Sequence, residues 1–305
     1  MESLRSLSNS SGSGKATCDP KTIMSNINTE HRRSVLKWLF ESLDLLKIEE
    51  RVFFASVVVA DRYCVSGYLR QPDASRRIEG SDLQLIILSA LCCSLKSCES
   101  SLDMSVKGFI EHISGGHVNV KDIFNMETNI LRGLDFDVFN PSYPVYLESF
   151  FYVLSRTPID MEFSPLEQSS VSRPFPGWAA KKYFLSLFLL YLAAFHVETL
   201  YAVNPPLLIS ACVLTATFTL GDQRLDSLEF QTILEALVEA QWLDTETHDV
   251  AFIIKHMSRF WQRAAGEIGE DAFKSICRLF DTDDRHHVSR VPPPRIGSDT
   301  VTSGG

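Results

Sequence analysis

From Asp82 to Lys96 the chain reads Asp-Leu-Gln-Leu-Ile-Ile-Leu-Ser-Ala-Leu-Cys-Cys-Ser-Leu-Lys. Between Leu83 and Leu95 only Gln84 and two serines interrupt the apolar run. A helix that is apolar on every side has no wet face, so this stretch predicts a helix enclosed by others in the middle of a domain. At sixteen residues from Ser81 to Lys96 it is short for a bilayer, and its polar residues and paired cysteines do not suit a lipid-facing surface. Charge arrives abruptly with Lys96. A cation at a helix C-terminus is favoured by the dipole, and spacing alone reads Lys96 as that cap.

The segments around this helix predict more helix. Asp19-Pro20 offers an N-cap with proline at the first helical position, opening a short helix to about Ile27. A long helix follows over Glu30–Leu46, with Thr29 as its cap and Val35, Leu36, Leu39, Phe40, Leu43 and Leu46 at helical spacing. The next covers Glu49–Val65, with Val52, Phe53, Val57, Ala60 and Tyr63 inward. Gly67–Gly80 carries Gly, Pro, Asp, Ser and three arginines and predicts an exposed loop. Beyond the central helix come Met104–Ile113, stopped by Gly115-Gly116, then Asn119–Leu134, and after Pro144 a helix over Val145–Ser155.

Residues 156–177 are Pro/Ser-rich and predict a linker. Tyr183–Phe195 and Pro206–Leu220 are two further apolar runs, separated by His196 and Glu198. Each is too short to span a membrane and neither has a basic flank, so a second buried helical core fits them better than insertion. Ser227–Val238, Thr245–Ala264 and Asp271–Phe280 are amphipathic and predict its shell. The ends, 1–18 and 281–305, have the composition of disordered segments. The expected organisation is therefore a disordered 1–18, a helical domain over 19–155, a linker 156–177, a second helical domain over 178–280, and a disordered tail. The expected fold class is all-α, with two helical units in tandem.

Composition narrows the function classes. Net charge −9 argues against a phosphate-backbone partner, whose affinity comes from Lys and Arg. Seven cysteines include no C-x-x-C pair, and no histidines stand at a zinc-ligand spacing, so no metal or cofactor is expected. Adjacent cysteines in an apolar helix and no N-terminal signal predict an intracellular location, where these thiols serve as small core residues. Gly12-Ser-Gly-Lys15 fails as a phosphate loop, because its first glycine would fall at Asn9 and Ala16 replaces the Ser or Thr that holds magnesium. No nucleophile–base set is recognisable, so no catalysis is expected.

Five stretches in order carry a family resemblance: Arg32-Arg-Ser-Val-Leu-Lys-Trp38, Val58-Val-Ala-Asp-Arg-Tyr63, Leu83-Gln-Leu, Leu95-Lys96, and Met126-Glu127 through Ile130-Leu131 to Leu134-Asp-Phe-Asp137. Together they resemble a cyclin, and their order and spacing resemble the A/B, mitotic-like type. The resemblance covers about Asp19–Ser155 as a first cyclin box, and more loosely Trp178–Phe280 as a second.

It implies a five-helix box in each half and a regulatory subunit, without catalysis of its own, that binds and activates a cyclin-dependent Ser/Thr kinase in cell division. It implies a nuclear or cytoplasmic location, with kinase substrates or inhibitors as further partners. Lys96 and Glu127 match the residues that hydrogen-bond kinase backbone, a charge-assisted contact. Cys93, Ser97, Leu131, Phe136 and Val138 match positions lining a pocket for an apolar kinase side chain. Arg32 and Asp61 match a structural ion pair.

There are departures. Lys96-Ser-Cys-Glu99 stands where the family commonly has an aromatic after the lysine. His31, Ser34 and Val35 replace the apolar residues that flank Trp38 in the family's substrate-docking patch. Read without the family, Trp38 is a core residue, Glu127 a solvated residue at a helix edge, and Asp61-Arg62 a surface pair. A transcription-related cyclin-fold scaffold bound to DNA is the alternative function, and it calls for a basic stripe that this acidic chain does not show.

Overall fold

The computed structural model describes residues 19–67, 78–97, 105–116, 118–138, 143–156 and 177–294. The N-terminal stretch 1–18, most of the loop expected after Gly67, Cys98 and Glu99, the linker 157–176 and the chain from 295 onward lie outside the described residues. The fold is all-α: the described residues contain no strand, only an isolated parallel bridge between Ile27 and Ile78. The chain divides into two compact units, the first built from 16–145 with 194–202, the second from 146–193 and from 203 onward.

In the first unit, α1 (Pro20–Asn26) opens on Asp19, whose carboxylate accepts from the N–H groups of Lys21 and Thr22, with Pro20 at the first helical position. Helix α2 (Thr29–Leu45) is capped by Asn28 and not by Thr29. Asn28 Oδ1 accepts from Glu30 N–H at 2.9 Å, and this draws Thr29 into the helix. Helix α3 (Glu50–Arg62) passes into a π-helical turn, Tyr63–Gly67. The exposed loop expected to last until Gly80 ends sooner: Ile78 is 2% exposed and donates to Asn26 O at 2.9 Å.

Helix α4 (Gly80–Ser97) is the enclosed one. Every residue from Ile86 to Leu95 is buried, and α2, α3, α5 (Val106–Ser114) and α6 (Val120–Gly133) all pack on it. Each buried Leu or Ile contributes about 1.5–3 kcal/mol relative to exposure. The serines cost little, because both bond main-chain carbonyls: Ser94 Oγ donates to Ala90 O at 2.9 Å, and Ser89 Oγ reaches Leu85 O at 2.7 Å and Ile123 O at 2.9 Å.

Helix α7 (Tyr143–Arg156) leads into the second unit, and α8 (Gly177–Phe195) follows. By length and composition alone, Trp178–Phe195 could cross a bilayer, yet 83% of it is buried inside the protein, as in a core helix. Phe188 meets Trp261 and Phe280 edge-on, and Tyr191 also meets Phe280. After the short α9 (Val197–Leu200), which belongs to the first unit, comes α10 (Pro205–Leu220), buried throughout Leu208–Thr217. Helices α11 (Leu228–Glu239) and α12 (Val250–Ile268) pack on α10, and α13 (Glu270–Phe280) packs on α12.

The tail does not become disordered at Asp281 as composition suggested. Two 3-10 turns, Asp283–Arg285 and Val288–Arg290, follow α13, with Val288 fully buried and Gln262 Nε2 donating to Pro294 O at 3.0 Å. His286 and His287 both take left-handed backbone conformations (φ 54° and 48°). His287 is held from two sides, its Nδ1 2.8 Å from Asp281 Oδ1 and its Nε2 2.8 Å from Asp283 Oδ1. Carboxylates only accept, so both contacts are hydrogen bonds only in the imidazolium form. Asp281 and Asp283 raise the histidine's pKa, while partial burial and Arg290 oppose them.

The sign follows from linkage. A group whose pKa is raised on folding lends stability that is fully present below its unfolded value, about 6.5, and lost as pH rises through the higher folded value. Amide protection of residues 286–291 should therefore fall between roughly pH 6.5 and the alkaline side of the histidine range. His287→Gln should make it flat with pH, as hydrogen exchange with the intrinsic pH effect divided out would show. The same pH dependence in His287→Gln would refute the role of this ring.

Candidate functional site

Arg32 on α2 and Asp61 on α3 are each 2% exposed. Arg32 Nε donates to Asp61 Oδ1 at 3.0 Å and Nη2 to Oδ2 at 2.6 Å, a two-pronged pair. Arg32 Nη1 donates to Ala194 O at 3.0 Å, and Tyr201 Oη donates to Asp61 Oδ2 at 2.8 Å. Burial acts to lower the guanidinium's pKa, and the neighbouring Asp61 carboxylate more than reverses it. The surface-pair reading of Asp61 is therefore wrong. Its sequence neighbour Arg62 has a different partner, with Nη2 2.9 Å from Asp137 Oδ2.

The residues matched to kinase contact gather at the end of α4, along α6 and in the turn beyond it. Lys96 Nζ lies 2.6 Å from Glu127 Oε1 and 5.4 Å from the ring centroid of Phe124. Lys96 is also in the last turn of α4, so it complements the dipole as well as meeting a carboxylate. Glu127 is no solvated edge residue: it is 7% exposed, whereas the Lys96 side chain is 48% exposed. Phe124, Glu127 and Leu131 stand at i, i+3 and i+7, one stripe of α6.

Phe136 lies in the turn that follows α6. It is 64% exposed, while Leu131 and Ser97 are half-buried and Cys93 and Val138 are buried at 5% and 8%. Of these residues Phe136 is thus the one whose apolar side chain is mostly in solvent. Ser97 Oγ donates back to Ser94 O at 3.1 Å, so it offers a small, locally bonded hydroxyl where an aromatic was lost. Burial, with Glu127 nearby, pushes the thiols of Cys92 and Cys93 up to about 12, so they remain neutral packing groups.

The second matched patch lies on α2. His31, Ser34, Val35 and Trp38 share one stripe: His31 and Ser34 are exposed, Val35 and Trp38 half-buried. The His31 ring lies against the start of α4, where a Cβ on Gly80 would come within 3.3 Å of its Nδ1. Trp38, half-buried, is thus not an enclosed core residue. Among the described residues no cluster of His, Cys, Asp or Glu could hold a metal.

Sequence reasoning missed three partners: Tyr201 and the Ala194 carbonyl at the Arg32–Asp61 pair, and Phe124 beneath Lys96. The first two stand 140 and 162 residues from the groups they bond, and no local pattern announces them. Phe124 was legible as a helix-face residue but not as a cation's neighbour.

Comparison with known proteins fits this geometry. Residues 5–139 match the family model described as the cyclin N-terminal domain. The chain matches no curated protein. The match covers most of the first unit, which thus resembles a cyclin N-terminal domain.

The buried network sets a stability order. Asp61→Ala strands the Arg32 charge and should cost about 3–5 kcal/mol. Tyr201→Phe removes one hydrogen bond to a charged group and should cost about 1.5–3 kcal/mol. Urea unfolding of both variants measures this, and equal midpoints for Asp61→Ala and wild type would show that the network adds nothing.

Proposed function

We propose that this protein is a regulatory subunit that binds and activates a cyclin-dependent Ser/Thr protein kinase, with no catalysis of its own. The observation that carries the reading is a buried Glu127 paired with a half-exposed Lys96, together with an exposed Phe136 ring, all within the stretch matched as a cyclin N-terminal domain. Apolar anchors bordered by oriented charge have the anatomy of an interface hot spot.

Activation would follow from packing against the kinase helix that carries the catalytic glutamate, so that the kinase's Lys–Glu pair forms and its activation loop opens. The ordered sequence stretches favour the A/B, mitotic-like type, acting in cell division in the nucleus or cytoplasm. The α2 stripe of His31, Ser34, Val35 and Trp38 is more polar than the family's docking patch, so substrate recruitment through it would be weak.

Co-purification of the full chain with a panel of cyclin-dependent kinases, followed by phosphorylation of a protein substrate, tests the reading. Lys96→Ala should leave both Glu127 and kinase carbonyls poorly bonded, a loss of about 1–3 kcal/mol. That corresponds to roughly five- to 150-fold weaker binding. Phe136→Ala should weaken binding with little change in melting temperature, since the ring is mostly in solvent. Retention of full kinase activation by a folded Lys96→Ala, Phe136→Ala double variant would defeat the proposal.

A further inference from the structure

The turn that displays Phe136 is unusual. Helix α6 ends with Asp135 N–H donating to Arg132 O at 3.1 Å and Phe136 N–H donating to Leu131 O at 2.7 Å. This is the Schellman arrangement, which needs one left-handed residue, commonly glycine. Helix α2 ends the same way with Lys47 in that role (φ 54°), and α11 with Gln241 (φ 62°). At the end of α6 two successive residues are left-handed, Asp135 (φ 52°) and Phe136 (φ 60°). Aspartate tolerates this conformation, but a bulky aromatic does so only under constraint.

A constraint is present. Arg62, the last residue of α3, donates from Nη1 to Asp137 O at 2.7 Å and from Nη2 to Asp137 Oδ2 at 2.9 Å. The fork grips main chain and side chain of the residue after Phe136, and the Arg62 side chain is only 14% exposed, so solvent screens it little. The other described turn with two adjacent left-handed non-glycine residues, His286–His287, is also gripped by charged groups, Asp281 and Asp283.

We propose that Arg62 is a positioning residue: it locks Asp137 and so holds the Asp135–Phe136 turn in the geometry that presents the Phe136 ring. The lock concerns the free chain. Its consequence for a partner rests on the kinase-binding reading above. Lysine at position 62 would keep the charge but could not span carbonyl and carboxylate with a planar fork.

Hydrogen exchange on the full chain tests the lock directly. In Arg62→Lys, the amides of Phe136 and Asp137 should exchange roughly tenfold faster, the factor for losing one such hydrogen bond. Amides inside α4 should be unchanged. Asp135→Gly, which relieves the left-handed strain, should restore part of the protection in that background. If Arg62→Lys fails to fold, Asp137→Asn keeps the carbonyl, loses the charged acceptor and should give the same local effect. Unchanged exchange at Phe136 and Asp137 in a folded variant overturns the proposal.

For the partner, a double-mutant cycle of Arg62→Lys and Phe136→Ala on kinase affinity should be strongly non-additive. Additive losses would mean that Arg62 does not act through Phe136. Failure of the wild-type chain to bind any cyclin-dependent kinase would sink the kinase reading instead, and leave exchange to decide the lock.

Discussion

The buried guanidinium of Arg32 sets the terms for the first unit. Taking an ion of this size out of water costs several kcal/mol even after relaxation, so the fold must surround it with acceptors or not form. Asp61 supplies two, and the Ala194 carbonyl a third. Asp61 in turn is completed by Tyr201. Two of these partners come from a segment, 194–202, that joins the first unit although most of the surrounding chain builds the second. The same segment is tied again where Tyr143 Oη donates to Leu200 O at 3.2 Å. A charge inside the unit thus becomes a reason for distant chain to return to one place. Apolar packing alone would reward many placements of that segment, whereas a half-satisfied ion tolerates few.

Helix α4 poses the opposite difficulty. A helix buried on all sides has no hydrophobic face to decide its rotation, and many rotations bury similar area. Two polar ties to α6 remove that freedom. Ser89 Oγ reaches the Ile123 carbonyl, and two turns later Lys96 reaches Glu127, itself one turn beyond Ile123. Ser89 keeps its bond to Leu85 O within α4 at any rotation, so the larger cost of a wrong rotation falls on Glu127, a buried carboxylate that would lose its cation. The rotation that pairs Glu127 with Lys96 also lays Ser89 Oγ against Ile123 O, so a buried carboxylate places a surface charge. That is how the interior of this domain shapes the face available to a partner.

The same physics explains what could be read from the chain. The enclosure of α4 was legible because thirteen nearly unbroken apolar positions admit few other fates. The cap at Asp19-Pro20 was legible because one carboxylate and one ring suffice for it. The cap of α2 was assigned one residue late, because Asn28 and Thr29 are both competent cap residues and only the geometry of the entering chain chooses between them. The Arg32–Asp61 pair and the Lys96, Glu127 and Phe136 face came from family resemblance, since contacts across separate helices leave no periodic trace. The ordered stretch 281–294 was missed for a related reason. Its order rests on buried Val288 and Pro294 and on hydrogen bonds of polar side chains, which composition counts as solvent-loving.

Phe136 brings core and surface together. Glycine would suit a left-handed position without strain but would present nothing to a partner. A right-handed or extended aromatic would avoid the strain and still make the hydrogen bond that ends the helix, as Ile48 does at the end of α2, but it would send the following chain another way. The observed path past Phe136 therefore keeps a residue in a sparsely populated conformation, at a cost of about 1–3 kcal/mol. Such strain persists only where the surroundings over-determine the backbone. Here they do so through Arg62 on Asp137 from one side and the buried Leu134 and Val138 from the other. An aromatic ring that is mostly in water, on backbone that disfavours it, gains nothing for the stability of the free chain. Under the proposed kinase-binding role, the partner surface that covers this ring would offset the strain.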